Sequence, residues 1–119
     1  MADGSLDSTT LVQRLTLIGV GSLSMRDETP AHAGRVARVC DEQADAVEAD
    51  VLGSVSEAEV TRALNELEAA GLVDTAETND RSPVGKGRPA YHLDYDPATL
   101  VSRFESDDRL ERVLDPLDA

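Results

Sequence analysis

The chain has 119 residues, 24 of them Asp or Glu against 11 Lys or Arg, for a formal charge of −13. That length holds one domain, here taken as 1–119, and 40% hydrophobic residues at regular spacing can build a core of Leu, Val and Ala, which argues against disorder. No apolar run approaches the ~18 residues of a membrane span, the start MADGSLDSTT lacks a secretory pattern, and the lone Cys40 cannot close an internal disulfide, so the expected compartment is a reducing cytoplasm.

From about Ser8 to Leu23, the residues Leu11, Val12, Leu15, Leu17 and Ile18 form an apolar helical face with few polar groups opposing it. This N-terminal helix, within 8–27, is expected to be covered on more than one side. Thr29-Pro30 reads as the start of a second helix, Thr capping and Pro at the first turn. Ala33, Val36, Ala37, Cys40, Ala44 and Val47 then fall on one stripe running to about Ala49, before Gly53 breaks the chain.

The third helix, expected over Ser56 to Ala70, has the clearest ends. Ser56 and Glu59 match a capping box with Val55 and Val60 at the staple positions, and Ser54 with Glu57 is an alternative box. Gly71 fits the left-handed position after the helix, with Leu72 placed to touch Leu67. Leu72 to Glu77 and Pro89 to Tyr95 read as two strands of a hairpin, with Tyr91, Leu93 and Tyr95 on one face and a turn-rich tip between. Asp96-Pro97 opens a C-terminal helix over 96–117, with a break expected near Ser106 where Asp107-Asp108 interrupts the stripe.

Helix, helix, capped helix, hairpin, helix is the order of a winged helix-turn-helix: mainly α with a small β-hairpin, or α+β. Two segments carry a family resemblance. SVSEAEVTRALNELEAAGLV, Ser54 to Val73, resembles the recognition helix of winged helix-turn-helix regulators of the MarR/PadR type, and GKGRPAYHL, Gly85 to Leu93, resembles their wing. The resemblance covers about 28–95. It implies a sequence-specific, DNA-binding transcription regulator that works as a homodimer on double-stranded DNA.

By itself the acidic charge opposes a nucleic-acid partner, since phosphate contacts need cations. Yet the cations are nearly all Arg, Lys86 being the one lysine, Ala is frequent, and acids are spread over most of the chain. That composition resembles proteins of salt-in halophiles, so the expected source is a halophilic archaeon. Acids are absent from Ser8 to Arg26, Thr29 to Cys40 and Arg81 to Leu93. At ~100° per residue, the third helix turns Ala58, Thr61, Arg62, Asn65 and Ala69 away from its core stripe of Val60, Leu64 and Leu67. Arg can pair with guanine, Asn with adenine, and small methyl groups can meet thymine.

The candidate DNA-binding residues are therefore Ser56, Ala58, Thr61, Arg62 and Asn65 at the major groove, and Arg81, Lys86, Gly87 and Arg88 on the wing in the minor groove. Arg35 and Arg38, with His32 near the start of their helix, either reach phosphates or pair with acids of another helix. Both terminal helices carry more apolar residues than one small domain needs, so Leu11, Leu15, Ile18, Leu100, Phe104, Leu110 and Leu114 are expected at a dimer interface.

No cofactor is expected beyond loosely bound potassium or other cations at the DNA interface. His32, His92 and Cys40 show no metal-ligand spacing, Cys40 reads as a small core residue, and no nucleophile or phosphate-loop motif suggests an enzyme. The alternative reading is a winged helix used for protein–protein contact without DNA, which the acid count favours.

Overall fold

In the computed structural model, residues 9–44, 56–77 and 89–118 are described. Helix α1, Leu11–Met25, opens at Thr10, whose side chain accepts from the Gln13 amide while the Gln13 side chain accepts from the Thr10 amide. Every residue from Leu15 to Leu23 is buried, so this part of α1 is covered on more than one side, as its sequence predicts. Helix α2, Ala33–Ala44, crosses it closely at Gly19. A Cβ at Gly19 would come to 3.0 Å from Cys40 Sγ, so a side chain at position 19 has to push the packing of α2 aside.

The start of α2 differs from the expectation at Thr29-Pro30. Ala31–His32 form a short strand, β1, and the helix begins only at Ala33. The reason is tertiary: Ala31 pairs with Tyr91 and His32 with Ala90, an extended pairing that holds these two residues out of the helix. The expected continuation of α2 to Ala49, with Val47, Gly53, Ser54 and Val55, lies outside the described residues.

Helix α3, Glu57–Ala69, has the boundaries read from sequence. Ser56 and Glu59 form the reciprocal capping box. At the other end Gly71 has φ +80°, the Leu72 amide donates to Leu67 O at 2.8 Å, and the Gly71 amide donates to Glu68 O at 3.0 Å. Those two bonds complete a Schellman motif around a glycine that alone tolerates the left-handed turn.

Strands β2, Asp74–Glu77, and β3, Pro89–His92, are shorter than expected, and they belong to a three-stranded antiparallel sheet in the order β1-β3-β2 rather than to a lone hairpin. Thr75 stands opposite Tyr91. Tyr91 is buried, and Leu93 and Tyr95 pack partly buried on the same core, as the alternation required. Tyr95 donates its hydroxyl to Leu72 O at 2.9 Å, and burial pushes its pKa up to about 12.

The C-terminal segment breaks where Asp107-Asp108 foretold: α4, Ala98–Phe104, a 3-10 turn over Asp108–Leu110, then α5, Glu111–Asp118. Arg14 of α1 binds this bend. Its guanidinium bonds Asp107 at 2.9 Å and Thr9 Oγ1 at 3.0 Å, and lies 5.0 Å from the centre of the Phe104 ring.

The residues expected at a dimer interface have another role. Leu15, Ile18, Leu100, Phe104, Leu110 and Leu114 are at most 4% exposed within one chain, and Leu11 packs partly buried on the same core. They are consumed by α1 packing against α4 and α5, so the surplus of apolar residues that suggested a dimer is accounted for internally. Among the described residues, Met25 is the large hydrophobic side chain left exposed. No helix among them is long and apolar enough to cross a membrane.

Candidate nucleic-acid interface

Two faces of α3 have opposite fates. Val60, Ala63, Leu64 and Leu67 are buried to 2% exposure or less. On the other side Ala58, Arg62, Asn65 and Ala69 are exposed and Thr61 is half-buried. These five residues, bordered by Glu57 and Glu66, line a shallow open groove along the helix. The core stripe thus fixes which residues look outward, and the structure brings together the major-groove set read from the sequence. Ser56 sits at its N-terminal edge, occupied as the cap.

The helix holds four acids, Glu57, Glu59, Glu66 and Glu68, against one cation, Arg62. Three of the carboxylates are held by donors of the chain itself. Glu59 accepts from the Ser56 amide and hydroxyl at 3.2 Å each, Glu66 accepts from Gln13 Nε2 at 3.0 Å, and Glu68 accepts from Thr75 Oγ1 at 3.2 Å. These bonds secure the acids on the flanks of the helix, beside α1 and β2. They do not cancel the charge, so attraction to a polyanion has to come from cations elsewhere.

Arg62 makes no ion pair among the described residues, and its guanidinium keeps all five donors for an outside acceptor. Asn65 is tied more closely: Tyr91 of β3 donates its hydroxyl toward Asn65 Oδ1 at 3.5 Å. Burial, and secondarily the Glu68 charge, raise the Tyr91 pKa, so this hydroxyl stays a donor. Tyr91 and its cross-strand neighbour Thr75 thus each bond a side chain of α3, Asn65 and Glu68, a link that a linear reading does not contain.

On α2, Arg35 pairs with Glu28. Of the two alternatives for this residue the acid partner is realised, although the acid comes from the loop before β1 and not from a helix. Both side chains are about 40% exposed, and such a pair is worth ~0–1 kcal/mol, weak enough to exchange for a phosphate. Arg38 is exposed and has no ion-pair partner among the described residues. His32 is half-buried in β1, opposite Ala90. The wing residues Arg81, Lys86, Gly87 and Arg88 lie outside the described residues.

Cys40 is buried on α2 and directs its thiol toward Leu15 O at 3.7 Å. Burial pushes its pKa up to about 12, against a smaller lowering by the Thr16 hydroxyl. A thiol held neutral in this way is a packing residue. His92 departs from its sequence reading: cross-strand register and a two-residue step place it beside Asp74 and Asp94.

No protein-family model matches the chain, and no curated protein matches it. Among solved structures it is similar to the Orc1 protein of Aeropyrum pernix in complex with DNA, with a TM-score of 0.73 and 18% identity. The likeness covers 95% of this chain and 28% of that one, and it is a likeness of fold. Together with the element order and the three-stranded sheet, it agrees with the winged-helix arrangement expected from the sequence.

Proposed function

We propose that this chain is a sequence-specific DNA-binding transcription regulator of a halophilic archaeon, reading the major groove with the outward face of α3. The observation that carries the reading is that face: Arg62 unpaired and exposed, with Thr61 and Asn65 beside it and the helix acids Glu57 and Glu66 at its borders. Arg62 is suited to a guanine edge and Asn65 to adenine. Arg38, and Arg35 once released from Glu28, stand on the preceding helix where they can contact phosphates. The wing cations Arg81, Lys86 and Arg88 complete this proposal in the minor groove. The Orc1 neighbour, solved with DNA, supports the choice of partner. The regulator is proposed to act as a homodimer and to need no cofactor for DNA binding, apart from loosely held potassium.

Selection of DNA from a random pool in concentrated potassium chloride, followed by mobility shift of the selected site, tests the proposal. R62A should bind ten- to a hundredfold more weakly, ~1–3 kcal/mol, and lose preference at one base pair. Failure to enrich any sequence, or full retention of specificity in R62A, overturns it and favours a protein-contact role.

A further inference from the structure

Strand register assembles a cluster that the linear sequence disperses. Asp74, the first residue of β2, stands opposite His92, the last residue of β3. Asp94 follows two positions later, in the segment leading to α4. The imidazole and the two carboxylates each offer one ligand atom, all within 4.8 Å of one another, and His92 Nδ1 lies 3.8 Å from Asp94 Oδ1. Asp74 and His92 are half-buried and Asp94 is exposed. Among the described residues neither Asp is paired with an Arg or Lys. Two like charges therefore sit together with one imidazole and no fixed cation to offset them.

We propose that Asp74, His92 and Asp94 form a binding site for a divalent first-row transition-metal ion. Metal–ligand bonds of ~2.1 Å place neighbouring donors roughly 3.0–3.4 Å apart. Asp74 and His92 are already anchored opposite each other by the strand pairing, and Asp94 follows His92 by two residues, so the donors start within 4.8 Å of one another. An imidazole among the donors favours zinc, cobalt, nickel or iron over magnesium and calcium, which prefer oxygen alone. Three protein ligands leave the remaining positions to water. The ion would join β2 to the start of the α4 connection, at the end of the β2–β3 pair opposite Glu77 and Pro89, and would neutralise two acids there. The site is independent of the DNA-binding reading.

Equilibrium dialysis of chelator-treated protein against Zn²⁺ or Co²⁺, with Mg²⁺ in parallel, reads the site directly. One Zn²⁺ or Co²⁺ should be retained per chain, with at least tenfold preference over Mg²⁺. H92Q and D94N should each weaken retention at least tenfold, and H32Q should leave it unchanged. D94N alters an exposed side chain, so its fold, checked by circular dichroism, is kept and its loss of metal reports the site. Retention by H92Q and D94N equal to that of the parent, or no preference over Mg²⁺, overturns the proposal.

Discussion

Helix α3 and the terminal helices answer the same question, what an apolar stripe is for, in different ways. In α3 the stripe and both ends are written locally: Ser56 with Glu59 starts the helix, and Gly71 with Leu72 stops it. In α1, α4 and α5 the stripe is equally plain, but its partner is not. Their spacing suggests a second subunit, and instead these residues close the core of a single chain. Periodicity shows that a face is buried. It carries no information on whether the covering surface belongs to the same chain or to another.

The largest expected effect tests that contrast at Phe104, which is 1% exposed and lies under the Arg14 guanidinium. Phe104→Ala should destabilise the fold by ~3–5 kcal/mol, seen as a lower midpoint in chemical denaturation. A folded, monomeric variant of unchanged midpoint would return Phe104 to an interface between subunits.

A smaller loss is expected where α1 meets α2. Gly19→Val must displace Cys40 Sγ and Val36, the atoms nearest to a Cβ at that position. Overpacking of this kind costs about 1–3 kcal/mol. Thermal denaturation should show the loss, and Cys40→Ala in the same chain should recover part of it by vacating the space. No recovery would mean that the two helices do not cross at this pair.

How much was legible follows from the range of each signal. Capping and the Gly71 turn involve residues a few positions apart, and both are legible in the sequence. The break near Ser106 was also local, and Asp107-Asp108 announced it. The strand at Ala31–His32 is not legible locally because Thr29-Pro30 is a good helix start, while the pairing that overrides it comes from Ala90 and Tyr91, far along the chain. The Arg14–Asp107 pair and the Asp74–His92–Asp94 group have the same character. For the candidate interface, the outward residues of α3 were legible because a helix fixes its faces by angle. The bonds that hold Glu66 to Gln13 and Glu68 to Thr75 were not, since each requires the tertiary fold.

On the locally written side of the contrast, Ser56→Ala should cost about 1 kcal/mol by removing the cap of α3. The effect should be concentrated in the first turn, with faster hydrogen exchange at the Glu59 amide, which loses its acceptor. Slower unfolding or an unchanged exchange rate would show that the cap is redundant with the core stripe.

The smallest expected change in stability comes at the junction of the two regions, where the sheet reaches the outward face of α3. Tyr91→Phe keeps the buried ring and removes a hydroxyl whose contact with Asn65 is long, 3.5 Å, so stability should fall by no more than ~0.5 kcal/mol. Its effect on recognition should be larger in proportion. The Tyr91 contact at Oδ1 biases the Asn65 amide towards the orientation that leaves Nδ2 as the donor facing outward, the group that bonds adenine N7. Without it the amide is free to flip, and preference at a single base pair should weaken while affinity for the rest of the site is kept. A competition assay between selected sites differing at one adenine measures this. If Tyr91→Phe leaves that preference intact while Asn65→Ala abolishes it, then Asn65 reads DNA from α3 alone, and the sheet contributes burial without orientation.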